Sequence, residues 1–278
     1  MQCIFGIFDV LGFTSFCENC DTKTAEKVLK IMDDFETDIP KMVLEALDTQ
    51  NSVPPEKKEI LINRLRWLTF SDTVFVAMPY DLSAHPDELK FNLIFFTILV
   101  IYINRRMFEI GLPVRGAIHI GDVLISRRCF AGKAIVEAHR FGAQFQAAAT
   151  AISEQADALI FNTFTERQPV HFLFSQSMVE CDVPTGIKEI SNLIACNTSL
   201  KVTTLCWFYF KMGSIAPFNI PSDLNSYITG RFTATGKTLS GYKEKLKVIN
   251  TVKLFNDWIA ANHILYEHEV RLTNKTNP

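Results

Sequence analysis

The chain has 278 residues, and its 28 Lys and Arg against 30 Asp and Glu give a net charge of -2. This balance excludes a general electrostatic argument for binding nucleic acid, so we expect no nucleic-acid partner. Hydrophobic residues make up 48% of the chain, which excludes a disordered polypeptide and indicates a substantial core.

The cysteines and the most apolar segment bear on the cellular compartment. Seven irregularly spaced cysteines predict reduced thiols in a cytoplasm, and the first residues lack the basic start of an export signal. The most apolar run, Leu93–Ile103, is too short to cross a bilayer. We therefore expect a cytoplasmic protein with a buried helix here and no membrane insertion.

The first predicted elements are a strand and a long helix. Gln2–Phe8 is apolar enough for a strand that is covered on both faces. A helix is expected from Thr24, and Pro40 is expected to kink or split it. The predicted buried stripe follows spacings of three and four and consists of Val28, Met32, Phe35, Ile39 and Met42. The polar segment Asn51–Lys58 is interpreted as a loop.

Two strand pairs flank a second helix. Arg64–Met78 is predicted to form two strands that meet around Phe70–Thr73. The apolar run lies in a helix predicted from about Pro86 to Ile110. Pro113–Ile125 is interpreted as another hairpin, because the Gly-Asp pair at 121–122 is a common turn dipeptide.

The rest of the chain has weaker patterns. Gly132–Thr150 is predicted to be a helix whose inner side carries Ile135, Ala138, Phe141 and Phe145. Further strands are predicted over 158–161, 170–174 and 202–210, and a closing helix over 242–262. This order of elements predicts an α+β fold, with helices packed on a mostly antiparallel sheet.

Two acids lie at predicted strand ends. Asp9 ends the first strand within Ile4–Phe16, shortly before Gly12 and a helix start, and Asp72 is at the tip of the first hairpin. If both belong to one sheet, their carboxylates can meet at its edge and hold divalent ions with the phosphates those ions carry. The alternative remains open that Asp72 stabilises a turn and Asp9 caps a helix.

Arg140 is a candidate for contact with a phosphoryl group. It lies two turns into the predicted Ala-rich helix and shares a face with Val136, Glu137 and Gln144. A guanidinium there can stabilise the charge of a transition state. The alternative is a surface arginine that pairs with Glu137.

Four segments, in order FDVLGFT, FSDTVFVA, RGAIHIGDV and FAGKAIVEAHR, resemble the class III nucleotidyl cyclases, the catalytic domain of adenylate and guanylate cyclases. The resemblance covers about Gln2–Thr150. It implies a ferredoxin-like core of order βααββαβ over residues 1–155, with residues 156–278 as a dependent C-terminal completion. It also implies attack of a ribose 3′-hydroxyl on the α-phosphorus, which yields a 3′,5′-cyclic nucleotide and pyrophosphate.

The resemblance implies roles by position. Asp9 and Asp72 would hold two divalent ions, Mg²⁺ or Mn²⁺, with help from the Val10 carbonyl, and Arg140 would stabilise the transition state. The triphosphate would be held by the N–H groups of Leu11, Gly12, Phe13 and Thr14. Family dimers divide these groups between subunits, so a homodimer with composite active sites is implied.

Several positions depart from the family's pattern. Val136 stands where the family has an Asn that orients the ribose. Leu68 stands where purine cyclases carry a Lys or Glu that reads the base, and Cys129 occupies the other base-reading position. Arg66 alternates in parity with Leu68, so it is a further base-reading candidate. The long segment between Asp9 and Asp72 predicts an enlarged helical insert.

With this base pocket and without receptor, membrane or regulatory segments, the chain looks like the Pycsar pyrimidine cyclases of bacteria. This resemblance implies that UTP or CTP is converted to cyclic UMP or cyclic CMP in antiphage defence. It also implies a separate effector that binds the product. The alternatives are an adenylate or guanylate cyclase, or a catalytically silent nucleotide-binding module, which Val136 favours.

The sequence TGKT at 235–238 is an incomplete phosphate loop, because Arg231 stands where a Walker motif needs Gly. We do not interpret it as a Walker motif, and Lys237 is kept as a candidate phosphate contact. His119 is interpreted as a hydrogen-bonded core residue rather than a ligand.

Overall fold

The computed structural model describes residues 1–48, 55–81, 83, 85–126, 129–164, 177–190, 194–207 and 219–276. The strands in this part of the chain are β1 (Gln2–Val10), β2 (Arg66–Phe70), β3 (Thr73–Pro79), β4 (Val114–Asp122), β5 (Leu124–Ser126), β6 (Cys129–Ala131), β7 (Thr150–Ile152), β8 (Met178–Ile190) and β9 (Ile194–Leu205). The helices are α1 (Phe13–Asn19), α2 (Thr22–Asp48), α3 (Pro55–Arg64), α4 (Pro86–Glu109), α5 (Lys133–Ala143), α6 (Glu154–Thr163), α7 (Leu224–Thr233) and α8 (Tyr242–Thr276).

A seven-stranded sheet has the order β2-β3-β1-β4-β7-β9-β8, and β5 and β6 form a separate pair. All neighbours in the large sheet are antiparallel except β4 and β7, which are parallel. The predicted α+β fold is confirmed, and its βααββαβ order holds with α3 as an added helix. Together, α2 and α3 form the enlarged insert.

Consecutive side chains of β1 point to opposite faces of the sheet, and both faces are covered, so the strand is buried on both sides. Ile4 and Phe8 belong to the main core, where α2 and α4 pack. Phe5 and Ile7 belong to a smaller cluster that includes Ala138 of α5. The sheet thus has one deeply covered face and a second face covered by α5, which we call the α5 face.

Most of the predicted stripe of α2 is buried, but Met42 is 47% exposed. The observed stripe continues from Ile39 to Val43 and Leu47 in steps of four, and residues four apart lie on one face of a helix. Pro40 lies within one continuous helix, so the prediction that it splits the helix is wrong.

Helix α4 confirms the predicted buried helix. Among the described residues it is the one helix that could cross a membrane by length and composition, and 78% of its most apolar window is buried inside the protein. Such burial is typical of a core helix.

Two predicted loops are wrong. Residues 55–58 begin α3, with Pro55 in the first turn, where a proline costs no hydrogen bond; residues 51–54 lie outside the described residues. The Gly-Asp pair at 121–122 is not a turn, because β4 stays paired with β1 as far as the Gln2–Asp122 pair. The hairpin at this place is β5–β6 instead.

The C-terminal half also differs from prediction. The Ala-rich helix ends at Ala143, and Thr150 already belongs to β7. Residues 158–161 lie in α6, whose start is capped because Ser153 Oγ accepts a hydrogen bond from the Ala156 N–H. The strand predicted over 170–174 lies outside the described residues, as do 208–210, whereas 202–205 belong to β9. The closing helix is confirmed as α8.

Candidate active site

Asp9 lies in a row of polar residues across three strands of the α5 face. It is paired with Thr73 of β3 and with Arg115 of β4. Thr73 Oγ1 donates a hydrogen bond to Asp9 Oδ1 at 3.0 Å, and His139 Nε2 of α5 lies 3.6 Å from Asp9 Oδ2. With its side chain 17% exposed, the carboxylate is held from two sides and still reaches solvent.

Asp72 lies at the same edge of the sheet, where a backbone hydrogen bond holds it. It follows Ser71, whose φ of 55° makes the tight turn between β2 and β3. The Val10 N–H, one residue beyond Asp9, donates to the Asp72 carbonyl oxygen at 2.9 Å. The structure therefore brings together the two acids that the sequence singled out, at one end of β1 and β3.

Arg115 supplies the positive charge beside these acids, and its role was not predicted. Its Nη1 donates to the Phe145 carbonyl oxygen at 3.0 Å, and within the described chain its buried Nε has no hydrogen-bond partner. Burial lowers the pKa of Arg115, and the charges of Asp9 and Asp72 act in the opposite direction. The RGAIHIGDV segment contains this arginine, but only the strand register shows that it lies opposite Asp9.

The turn after β1 was predicted to hold a triphosphate. Gly12 has a φ of 76° and precedes α1 without a side-chain cap. The Leu11 N–H donates to the Pro113 carbonyl oxygen at 2.8 Å, so this N–H is already hydrogen-bonded within the protein and is not available to a phosphate. Of the four predicted residues, we retain Gly12, Phe13 and Thr14 as candidates.

Arg140 and Val136 are exposed on α5, in the chain that also carries Asp9. Glu137 lies 3.3 Å from Lys133 and 3.8 Å from His119. The described residues show no Glu137–Arg140 ion pair, which removes support for the alternative in which Arg140 is paired on the helix surface. His119 Nδ1 lies 2.7 Å from Ser153 Oγ, which confirms the interpretation of a hydrogen-bonded core histidine.

The base-reading candidates share the α5 face with Asp9, because Arg66 and Leu68 pair with β3 residues that pair in turn with β1. Leu68 packs with Phe130 against the smaller core cluster, and Cys129, next to Phe130, is exposed. Arg66 Nη1 donates to the carbonyl oxygens of Asn63, in α3, and of Leu65, just after it. The base-reading role of Arg66 stays a prediction.

The donor atoms at the strand end fit a magnesium or manganese ion. The described chain contains no group of three or more His, Cys, Asp or Glu side chains that could hold a metal ion. Magnesium, however, is commonly bound by one or two carboxylates together with substrate phosphates. Asp9 and Asp72 supply hard oxygen donors of this kind, so they fit an ion that arrives with a nucleotide.

No family model and no curated protein matches this chain. The solved structures that resemble it include nucleotide cyclases. The guanylate cyclase domain of RhGC from Catenaria anguillulae, in complex with GTP, is 12% identical over 73% of this chain and 95% of its own, with a TM-score of 0.39. An adenylate/guanylate cyclase/hydrolase from Silicibacter pomeroyi is 13% identical over 74% of this chain and 96% of its own, with a TM-score of 0.36.

A bacterial light-regulated adenylyl cyclase is 10% identical over 84% of this chain and 58% of its own, with a TM-score of 0.40. At these identities and TM-scores, the similarities carry no argument about activity. The functional argument rests on the motifs and on the geometry around Asp9.

Proposed function

We propose that this protein is a nucleotidyl cyclase that converts a nucleoside triphosphate to a 3′,5′-cyclic nucleotide and pyrophosphate. The observation that carries the proposal is the meeting of Asp9 and Asp72 at one sheet edge, tied by the Val10–Asp72 hydrogen bond. The two acids come from separate motifs of the cyclase-like series.

In this proposal, Asp9 and Asp72 hold two divalent ions, Mg²⁺ or Mn²⁺, with the Val10 carbonyl. When bound, such ions activate an attacking oxygen and stabilise a leaving phosphate. The hydrogen bond from Thr73 orients one oxygen of Asp9. The Gly12–Thr14 backbone holds the triphosphate. The 3′-hydroxyl oxygen bonds the α-phosphorus and its proton passes to solvent. The bond from the α-phosphorus to the α–β bridging oxygen breaks, which releases pyrophosphate.

The active form in this proposal is a homodimer. Phe70, on the α5 face, is a large apolar side chain that is exposed, and so are Val136 on α5 and Leu124 on β5. Arg140 of α5 is also exposed. A second copy on this face would cover the apolar side chains and bring its own Arg140 to the phosphates held by Asp9 and Asp72.

We further propose a pyrimidine substrate, UTP or CTP. Leu68 is apolar where purine cyclases carry a Lys or Glu, and it packs into the hydrophobic cluster. Such a position offers no hydrogen bond to a purine edge. The corresponding biological role is cytoplasmic signalling in bacterial antiphage defence, with a separate effector that binds cyclic UMP or cyclic CMP.

A silent nucleotide-binding module is the second candidate. Val136 supports it, because the exposed valine cannot orient a ribose by hydrogen bonding. The presence of both acids and of Arg140 favours the enzyme.

The test is incubation of the purified protein with ATP, GTP, CTP and UTP separately, plus Mn²⁺, with mass spectrometry of the products. Cyclic UMP or cyclic CMP that disappears in Asp9→Ala and Asp72→Ala supports the whole proposal. Cyclic AMP or cyclic GMP supports the cyclase and contradicts the pyrimidine substrate. Triphosphate binding without any cyclic product supports the silent module.

A further inference from the structure

A buried lysine from the C-terminal part of the chain lies directly behind the turn that follows Asp9. Lys237, between α7 and α8, is 5% exposed. Its Nζ donates to the carbonyl oxygens of Gly111, at 2.6 Å, and Leu11, at 3.4 Å. A Cβ added to Gly12 would lie 3.3 Å from Lys237 Cδ. The ammonium therefore reaches the turn from the protein interior.

Two further contacts fasten this lysine's segment beneath α1. The Thr238 N–H donates to Ser15 Oγ at 3.1 Å, near the start of α1. Gly236 has a φ of 78°, and a Cβ there would lie 2.9 Å from the carbonyl oxygen of Asn19, at the end of α1. The segment 235–238 thus supports both ends of α1 together with the turn before it.

No carboxylate pairs with the Lys237 ammonium in the part of the chain that the structure describes. Burial and, to a smaller extent, the nearby charge of Lys247 lower the pKa of Lys237 to about 7. Burial and the charge of Arg115 lower the pKa of Lys247, and Glu244 opposes them. Arg115 and Lys247 thus each have a carboxylate that offsets their charge, whereas no carboxylate of the described residues acts on Lys237. A buried charge on Lys237 costs free energy unless an anion offsets it.

We infer that Lys237 is a positioning residue for the polyphosphate of the nucleotide: it holds the Leu11 and Gly111 carbonyls in place and supplies positive charge behind Gly12–Thr14. The inference rests on the proposed cyclase function, and it deepens that function by adding the C-terminal segment to the phosphate site. Lys237 acts through the turn and through its field in a medium of low polarity, without touching phosphate. The field of a buried charge is screened little by salt, so it persists at salt concentrations at which the effect of a surface charge fades.

The experiment compares four variants by titration calorimetry with inorganic tripolyphosphate and Mg²⁺ at several salt concentrations. Lys237→Met and Lys237→Gln remove the charge, and Lys237→Arg retains it. Lys245→Met removes an exposed lysine of α8 as a matched control. We expect both neutral variants to bind about tenfold more weakly at every salt concentration, because a buried charge is screened little. The Arg variant and the α8 control should stay within about twofold of the wild type. In the cyclase assay, KM should rise more than kcat falls.

Three results overturn the inference. They are wild-type affinity in a folded neutral variant, equal weakness of Lys237→Arg and Lys237→Met, or a loss of affinity that disappears at high salt. Thermal melting identifies which neutral variants are folded. Binding of tripolyphosphate that depends on Lys237, without any cyclic nucleotide, would contradict the proposed function and leave this inference standing. Cyclic nucleotide formation that Lys237→Met does not change would support the proposed function and contradict the inference about Lys237. A wild-type protein that binds no tripolyphosphate would contradict both the function and the inference.

Discussion

Asp9 has two neighbours that determine where its oxygens point. Thr73 donates to one oxygen, and His139 lies close to the other. A carboxylate fixed in this way loses less conformational freedom when it binds an ion, because its orientation already exists in the free protein. Thr73 therefore acts on the proposed chemistry through Asp9.

Thr73→Val should reduce both Mn²⁺ affinity and cyclase activity. A hydrogen bond to a charged group contributes about 1.5 to 3 kcal/mol, so we expect a loss of about tenfold or more. Electron paramagnetic resonance of Mn²⁺ in the presence of a triphosphate measures the affinity. Thr37→Val, on the exposed side of α2, is the control and should change neither quantity. Unchanged Mn²⁺ affinity in Thr73→Val would show that Asp9 needs no orientation by its neighbour.

His119 predicts a pH dependence of stability. Burial lowers its pKa below 6.5, and Glu137 opposes this effect. Because the unfolded chain binds the proton more readily, neutral His119 favours the folded state above about pH 6.5, and this contribution is lost as the pH falls toward the lower folded pKa. Urea denaturation should show a weaker dependence on pH between about 7 and 5 in His119→Gln than in the wild type. Parallel pH profiles would contradict this assignment.

At the scale of elements, the position of α5 on the sheet depends on two glycines. A Cβ on Gly142 of α5 would lie 2.8 Å from the backbone of Gly116 in β4. Only hydrogen atoms fit between helix and strand at this point. The close approach sets the distance at which His139 meets Asp9.

Gly142→Ala should therefore destabilise the protein even though alanine favours helices. Forcing a methyl group into this contact costs about 1 to 3 kcal/mol in the free energy of unfolding. Gly230→Ala in α7 is the matched control, because a Cβ there meets nothing within 4 Å. It should stabilise the fold by about 0.5 to 1 kcal/mol through helix propensity. Destabilisation of similar size in both variants would argue against the close-packing explanation.

Elements with strong local patterns could be predicted from the sequence. The long apolar runs of β1, β3 and α4 indicated buried elements, and their residues are buried almost continuously. The Gly-Asp pair at 121–122 misled the prediction, because the pairing of β4 with β1 outweighs the local preference for a turn. The strand prediction for residues 158–161 was also wrong, because a short apolar run is compatible with both strand and helix. The Ser153 cap favours the helix.

The site was only partly predictable for a related reason. Asp9 and Asp72 were recognisable because each is an acid among apolar residues of a motif. The neighbours of Asp9 depend on strand register and helix placement, which no local pattern specifies. Lys237 contacts a residue 226 positions earlier in the chain, so its role appears only once the fold is known.

At the scale of the whole molecule, the proposed dimer divides each active site between two chains. Asp9→Ala and Arg140→Ala should each abolish activity alone. The two variants should recover activity when they are mixed and allowed to exchange subunits. In a mixed dimer, one composite site carries both substitutions, and the other carries neither and is active. Light scattering checks that dimers form. A fully active monomer, or a mixture that stays inactive, would contradict composite sites.

The place of β7 in the sheet has a consequence for fragments of this protein. Ala151 and Ile152 of β7 pair with Thr204 and Thr203 of β9, so the early part of the chain meets the later part along this strand. A polypeptide cut after residue 155 would expose a row of unpaired backbone groups on buried, apolar β7. Such an edge recruits strands from other molecules. The isolated first 155 residues should therefore aggregate at concentrations at which the full chain stays dispersed, and size-exclusion chromatography of the two would show it.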